Sequence, residues 1–443
     1  MFKYFPHTNK DIEEMLSKIG VASLEELFAE IPAHIKTNKD FDLPSAKSEQ
    51  EIRKHMQDLS NRNEEYTSFL GAGSYDVYTP SIIGALTSRQ EFLTSYTPYQ
   101  PEISQGTLTY IFEFQSMICE LTGMDVSNAS VYDGATATAE AMFMAIAATK
   151  RNKVLVSSAV NPRVIAVLRT YAKYRDIEIE LIETESFYTS KTDLVNKLNH
   201  EVAAVIVQNP NFFGTIEEFS EFEELIHNNK SLYIMNVDPS TLSVLKTPRE
   251  YGADIACGDG QTLGIPYNFG GPYVGFMATT EKYLRRMPGR ICGMTNDVDG
   301  KRGFVLTLQA REQHIRREKA NSNICSNQSL MALHTVIYMA VMGKQGLIDV
   351  AKMAYNNAHY LEEKLLATKK FEKVDKQVFF KEFVLKSKVD LEKLNEYLLE
   401  KGFLSGLDLK QVDPKFKDLV MFCATEVRTK NEIDEFVRLV EVF

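Results

Sequence analysis

Short apolar segments alternate with helix-favouring stretches through the middle of the chain. The apolar segments, which are biased toward β-branched residues, are 154–156, 177–182, 202–207 and 232–237. Helix-favouring segments, among them 162–174 and 191–198, lie between them. Strands and helices that alternate at this spacing predict a parallel, doubly wound sheet. Sheets of this kind carry their chemistry just beyond the carboxyl ends of their strands.

The two ends of the chain have different patterns. Residues 1–60 predict short charged helices, because apolar residues recur there at helical spacing. These apolar residues are Ile12, Met15, Leu16 and Ile19. Beyond Asn327 a helix-favouring stretch continues to about Lys370. The pattern then predicts a strand at 378–385, a helix at 390–401, a strand at 419–423 and a helix at 431–442.

These patterns predict a chain of three parts. They are an N-terminal helical segment (1–60), a large α/β domain (61–330) and a connecting helix with a small α+β domain (331–443). A large parallel α/β domain followed by a small α+β domain is the build of pyridoxal-phosphate enzymes of the aspartate-aminotransferase type, known as fold type I. We therefore expect that fold class, although a fold does not by itself give a function.

Composition narrows the classes of function. Lys and Arg number 50 against 60 Asp and Glu, and a formal net charge of -10 argues against nucleic acid and anionic membranes as partners. The five cysteines are widely spaced without a C-x-x-C pair, and the histidines show no metal-site spacing, so we expect neither a disulfide framework nor a metal. Residues 1–10 lack the apolar core of a secretory signal, and no apolar stretch is long enough to span a membrane. These features predict a soluble, cytoplasmic protein.

Two segments predict a site at the carboxyl edge of the sheet. Small and hydroxyl residues at 132–140 open a helix, and a helix N-terminus of this kind binds phosphate. On this segment alone, an ordinary N-cap by Thr136 or Thr138 is the commoner explanation. Asp238 directly follows the strand 232–237, where a carboxylate can pair with a protonated pyridine nitrogen. The alternative is a turn Asp before Pro239.

The lysine that should complete such a site is missing from its expected place. No lysine occurs between Lys246 and Lys282, and the segment 258–264 carries Gln261 instead. An amide nitrogen forms no Schiff base because its lone pair is delocalised. Lys246 and Lys282 stay open as alternatives, and with them the possibility of a self-sufficient enzyme.

Four further segments are candidates for binding. The stretch 95–106, here called the tyrosine loop, is polar, aromatic and stiffened by proline. It suits either a binding surface or a rigid exposed loop. Glycine-rich segments at 71–75 and 268–276 let a backbone approach closely, although neither is a dinucleotide fingerprint. The charges of 311–319 alternate in sign, which is typical of a solvated helix or of a cluster that meets anions.

Several of these motifs together resemble the glycine-cleavage P-protein family, specifically the alpha subunit of its two-subunit form. The tyrosine loop is similar to the family signature nearly letter for letter, and the likeness continues to about residue 340. The other matching segments are 69–75, 121–125, 128–130, 311–319 and 321–325. In the beta subunit of that family, a His-Lys-Thr segment carries the Schiff-base lysine. Here the similar frame is Gly260-Gln261-Thr262, followed by Pro266 and a glycine-rich run.

The resemblance implies a function. In that family the P-protein decarboxylates glycine through pyridoxal phosphate and passes the aminomethyl group to the lipoyl arm of H-protein. It implies that the beta subunit holds the cofactor, so that Thr136, Asp238 and Gln261 form a relic pocket here. It also leaves Tyr96, Tyr99, Gln100 and Gln105 as candidates that line the active site across the interface. The alternative is a catalytically silent scaffold that only stabilises its partner or binds H-protein.

Overall fold

The computed structural model describes residues 4–37, 39, 41–320, 322–374 and 377–443. Parts of three segments from the sequence analysis lie outside this description: residues 1–3, 38 and 40 of 1–60, Asn321 of 321–325, and residues 375 and 376 of 331–443. Contacts within the chain separate two units, Met1–Glu64 and Glu65–Phe443. The boundary near residue 330 stays a prediction.

The first unit consists of two short helices with an exposed apolar face. Its elements are α1 (Asn9–Ile19), a 3₁₀ turn (Glu25–Phe28) and α2 (Glu49–Ser60). Both helices begin at capping boxes, Thr8 with Asp11 and Ser48 with Glu51, which satisfy backbone donors at the first turn. Among the residues of this unit that the structure describes, Leu16 is the only apolar one with a buried side chain. Most of its other described apolar side chains line a groove of about 580 Å³ or are exposed to solvent.

The second unit contains the predicted alternation of strands and helices. Its helices are α3 (Ser81–Thr87), α4 (Gln90–Leu93), α5 (Gln105–Thr122), α6 (Gly134–Thr149), α7 (Pro162–Ala172), α8 (Lys191–Lys197), α9 (Phe222–Asn228), α10 (Gln313–Arg316), α11 (Ser329–Ala367), α12 (Leu391–Glu400) and α13 (Lys430–Val442). Its strands are β1 (Thr67–Ser68), β2 (Val126–Ser127), β3 (Lys153–Ser157), β4 (Glu178–Ile182), β5 (Thr184–Glu185), β6 (Tyr188–Thr189), β7 (Val202–Asn209), β8 (Leu232–Val237), β9 (Ile255–Asp259), β10 (Gly275–Thr279), β11 (Ile291–Asn296), β12 (Arg302–Thr307), β13 (Phe371–Lys373), β14 (Glu382–Ser387), β15 (Phe403–Leu404), β16 (Leu407–Asp408) and β17 (Leu419–Cys423). No helix among the described residues is both long and apolar enough to cross a membrane.

A seven-stranded sheet forms the centre of this unit, in the order β2-β10-β9-β8-β7-β3-β4. The five strands from β9 to β4 run parallel, as expected, and their apolar segments are buried between two core clusters. The sheet departs from the prediction near one edge, where β10 runs antiparallel to both of its neighbours, β9 and β2. The physical reason is the connection from β9 to β10, which contains no helical crossover and therefore returns the chain in the opposite direction.

A smaller antiparallel sheet, β13-β14-β17-β16, forms the C-terminal part with helices α12 and α13. The strand predicted at 378–385 is wrong at its start, because β14 begins at Glu382. The preceding residues pack instead against the segment after β7, where Ile216 N–H donates to Val378 O at 2.8 Å. This irregular approach directs Lys381 toward the large sheet.

Candidate functional site

A cleft of about 600 Å³ lies at the carboxyl ends of β8 and β9. Its walls also include the start of α6 and the loop 71–75. Thr136, Asp238 and Gln261, singled out from the sequence, all line this one cleft. Their convergence follows from the sheet, since parallel strands end at a common edge.

Gln261, which the sequence resemblance is expected to place in the frame of the Schiff-base lysine, is a buried cross-link. It is 1% exposed, and its Nε2 donates to Tyr75 O at 2.8 Å and to Ile265 O at 2.6 Å. Its Oε1 accepts the N–H of Tyr75 at 3.0 Å. Both ends of the amide are therefore used in fixing the loop 71–75 against the segment that follows β9.

Asp238 is bound on both of its carboxylate oxygens. Oδ1 accepts hydrogen bonds from Thr262 Oγ1 at 2.6 Å and from Ser240 Oγ at 2.8 Å. Oδ2 lies 2.5 Å from Lys381 Nζ. Burial by itself would raise the pKa of Asp238, but the Lys381 ammonium and these hydrogen bonds lower it below its ordinary value. The turn Asp interpretation also holds, because Ser240 N–H donates to the same carboxylate.

Lys381 is a site residue that the sequence analysis missed. Burial would lower the pKa of its ammonium, yet the charge of Asp238 raises it above the ordinary value. The carboxylate of the next residue, Glu382, accepts hydrogen bonds from the Tyr75 hydroxyl at 2.8 Å and from the Ala72 N–H at 2.6 Å. A Schiff base requires a neutral amine, so Lys381 is poorly suited to form one.

Two carboxyl side chains of this chain accept backbone N–H groups at the N-terminus of α6. Its N-cap is Asp133, whose Oδ1 accepts Thr136 N–H at 2.7 Å, so the capping role considered for Thr136 or Thr138 is wrong. Asp259 Oδ2 accepts Gly134 N–H at 2.9 Å, and its Oδ1 accepts Gln261 N–H at 2.9 Å. A Cβ on Gly134 would lie 2.6 Å from Asp259 N, which shows how closely the helix approaches the end of β9.

The half-buried Asp259 predicts a pH dependence of stability. Burial, reinforced by the charges of Asp133 and Asp238, raises the pKa of Asp259 from 3.8 to about 7. The folded chain therefore binds the Asp259 carboxyl proton more tightly than the unfolded chain does. The stability that the protonated Asp259 contributes is lost as the pH rises from the unfolded pKa of about 4 to the folded pKa of about 7. We expect Asp259→Asn to gain stability relative to the wild type by about 2–3 kcal/mol between pH 5 and pH 7.5. Urea unfolding at both pH values measures this. Asp299→Asn, in an exposed turn, is the control, and an equal stability difference at both pH values would contradict the prediction.

The two lysines kept as alternatives lie outside the cleft. Lys246 Nζ pairs with Glu218 at 3.1 Å, and its side chain is half exposed. Lys282 lies in the 3₁₀ turn after β10, with Nζ 4.9 Å from the centre of the Tyr283 ring. Among the described residues that line the cleft there is no lysine.

The tyrosine loop is exposed and rests on a buried arginine. Tyr96 and Tyr99 are 87% and 56% exposed, and Gln100 is exposed as well. Arg290 is 2% exposed, its guanidinium carbon lies 5.4 Å from the centre of the Tyr99 ring, and Nη2 donates to the Tyr99 hydroxyl at 3.4 Å. The same guanidinium donates to Cys325 O at 2.9 Å.

Gln105 differs from the other three loop candidates because its amide is used inside the chain. Nε2 donates to Pro101 O and to Phe304 O, both at 2.8 Å, and Oε1 accepts Phe304 N–H at 2.9 Å. These bonds attach the end of the tyrosine loop to β12.

The solvated helix predicted at 311–319 is wrong, because only a single turn, α10, forms between two 3₁₀ turns. Arg311, the first residue of the segment 311–319, donates to the carbonyls of Met287 and Gly289 and thereby joins this segment to the loop before β11.

The sequence model for the glycine cleavage system P-protein matches residues 2–440. The chain belongs to the glycine cleavage system P-protein family. A P-protein relative from Moorella thermoacetica, described as a probable glycine dehydrogenase (decarboxylating) subunit 1, is 51% identical to this chain over 434 residues. The matched region covers 98% of each of the two chains.

Known structures support the same P-protein assignment. The chain is similar to a crystal structure of glycine decarboxylase (P-protein) of the glycine cleavage system in inhibitor-bound form, with a TM-score of 0.91, 42% identity and 100% of both chains covered. It is also similar in fold alone to a glutamate decarboxylase from Lactobacillus brevis, with a TM-score of 0.69, 11% identity, and 92% of this chain and 95% of that chain covered. The predicted fold class, fold type I of the pyridoxal-phosphate enzymes, is confirmed.

Proposed function

We propose that this P-protein chain is subunit 1, the alpha subunit, of a two-subunit glycine dehydrogenase (decarboxylating) of the glycine cleavage system. Similarity to a subunit 1 along nearly the whole length of both chains is the observation that carries this proposal. Paired with a beta subunit, the chain takes part in glycine catabolism as an oxidoreductase. The pair releases CO2 from glycine and transfers the aminomethyl group to the lipoyl arm of H-protein, in the cytoplasm and without nucleic acid or membrane.

In this proposal the second subunit holds the pyridoxal phosphate, which supplies an electron sink for the glycine α-carbon. The geometry of the cleft in this chain does not fit that cofactor. Gln261 cannot form the imine, and its amide is already hydrogen-bonded at both ends. Asp238 is paired with Lys381, and the start of α6 meets the carboxylate of Asp259 rather than an open anion site. Thr136, Asp238 and Gln261 are then a relic of a cofactor pocket.

The tyrosine loop is the part of this chain that we assign to the shared active site. Tyr96, Tyr99 and Gln100 are exposed on a segment that Pro98 and Pro101 stiffen, so their aromatic and amide groups are held ready for a partner surface. Gln105 anchors the loop and serves as a positioning residue. In contact with the second subunit, these side chains would orient glycine or the lipoyl arm and exclude water.

The first unit supports a paired assembly. Its apolar side chains, Ile19, Leu24 and Leu27 among them, face solvent around a groove instead of packing into a core. Apolar surface of this extent in a small helical unit is typical of a protein–protein interface.

Reconstitution with a beta subunit tests the proposal. We expect Lys→Ala at the Schiff-base lysine of the beta subunit to reduce glycine-dependent CO2 release to background while the two subunits still copurify. The same assay with Lys246→Ala and Lys282→Ala in this chain serves as the matched control and should show full turnover. Turnover that survives the beta-subunit substitution would overturn the proposal.

A further inference from the structure

The proposed reaction does not use Lys381, yet this lysine is buried beside the cleft. It is 5% exposed, and its Nζ lies 2.5 Å from Asp238 Oδ2 and 3.8 Å from the centre of the Tyr75 ring. The ammonium is therefore held between a carboxylate and the negative face of an aromatic ring. In fold type I enzymes a carboxylate in this role pairs with the cation of the cofactor's pyridine ring. Lys381 offers Asp238 a positive charge in the same role.

The opposite end of the cleft shows the complementary feature. A helix N-terminus attracts an anion through its free N–H groups and its dipole. At α6 this anion is supplied by the chain, since Asp259 accepts Gly134 N–H at 2.9 Å and Asp133 accepts Thr136 N–H at 2.7 Å. Above the pKa of Asp259, about 7, a phosphate brought to this position would meet two carboxylates at close range, which is electrostatically unfavourable. Below that pKa the protonated Asp259 carboxyl group still occupies the N–H of Gly134.

We propose that Lys381 and Asp259 are internal replacements for the two charged ends of pyridoxal phosphate. Lys381 takes the place of the pyridinium against Asp238, and Asp259 takes the place of the phosphate at the start of α6. Together they balance the charge of Asp238, occupy the first N–H of α6, hold the C-terminal part against the large sheet without a cofactor, and exclude the cofactor. This inference rests on the proposed function in one respect, because it takes the cofactor of the complex to belong to the second subunit.

The first test concerns the pairing of Lys381 with Asp238. Urea unfolding of the full chain compares Lys381→Met, Asp238→Asn and the variant that carries both. Lys381→Met leaves a buried carboxylate unpaired, so we expect the ratio of folded to unfolded chain to fall about 10²–10³-fold. Addition of Asp238→Asn should recover most of this loss. If the losses of the two single variants simply add, the charges are not coupled and the proposal is overturned.

The second test measures whether these groups exclude the cofactor. Pyridoxamine 5′-phosphate is the probe, because it has the pyridine nitrogen and the phosphate but no aldehyde that could react with surface lysines. Equilibrium dialysis with the full chain should detect no saturable binding to the wild type or to Lys381→Arg, which keeps the cation. It should detect saturable binding to the Lys381→Met/Asp259→Ser variant, and addition of Asp238→Asn should weaken this binding at least about 10-fold, the loss of one charged hydrogen bond.

Two results of this second test would overturn the inference. One is saturable binding of the probe to the wild type or to Lys381→Arg, and this outcome can be read even if the Lys381→Met/Asp259→Ser variant does not fold. The other is no binding to a folded Lys381→Met/Asp259→Ser variant. Neither result affects the test of the proposed function, which follows turnover that depends on the lysine of the beta subunit.

Discussion

Replacement of Gln261 by Leu is expected to destabilise this chain by about 3 kcal/mol or more. The substitution keeps most of the side-chain volume but removes three hydrogen bonds. It leaves the N–H and carbonyl of Tyr75 and the carbonyl of Ile265 without these partners in a buried position. Each unsatisfied buried group costs about 1–3 kcal/mol. Urea unfolding of the full chain measures the change.

The matched control is Gln345→Leu. Gln345 lies on α11, and its amide donates to Asp349 Oδ1 at an exposed position, so we expect a change within about 0.5 kcal/mol. If Gln261→Leu were as stable as this control, Gln261 would not be the structural cross-link described above. The residue would then be free for another role in the cleft.

Tyr99→Ala is expected to lower glycine-dependent turnover of the two-subunit complex about 10–100-fold, because positioning groups contribute effects of this size. Copurification of the two subunits should persist. The Tyr99 side chain is half exposed, and its hydroxyl and ring contact the Arg290 guanidinium and the His314 ring of its own chain. Its removal should therefore leave the stability of the isolated chain nearly unchanged. The rate of CO2 release at saturating glycine and H-protein measures the effect.

Tyr174→Ala is the control for this prediction, since Tyr174 is also an exposed tyrosine but follows α7 and is not part of the tyrosine loop. The comparison also separates the proposed function from the scaffold alternative. A scaffold that only stabilises the beta subunit would give the same turnover with Tyr99→Ala and Tyr174→Ala. A selective loss with Tyr99→Ala supports a role in the shared active site.

The parts of the fold that could be predicted are those whose burial produces a recognisable hydrophobic pattern in the sequence. The strand predicted at 232–237 is confirmed residue for residue, because β8 is buried on both faces and apolar along most of its length. The strands predicted around β3, β4 and β7 are confirmed with shifts of one or two residues at their ends. The antiparallel direction of β10 could not be predicted, since apolar alternation reports burial and not strand direction.

The candidate site could be predicted only where local sequence encodes it. The convergence of Thr136, Asp238 and Gln261 follows from strand ends that share one edge of the sheet. Lys381 could not be found in this way, because it arrives from the C-terminal part through an irregular segment and carries no motif. Asp259 gave no signal beyond its place at the end of a strand. Its contact with the first residue of α6 depends on the packing of α6 against β9.

The central claim is that this chain forms no Schiff base with pyridoxal phosphate and that the beta subunit does. Borohydride reduction of the assembled complex, incubated with pyridoxal phosphate and digested for mass spectrometry, locates the labelled lysine. The account predicts one stoichiometric pyridoxyl label on the beta subunit and none on this chain, together with an absorbance band that responds to glycine only when the beta subunit is present. A stoichiometric label on Lys246, Lys282 or Lys381 would contradict it.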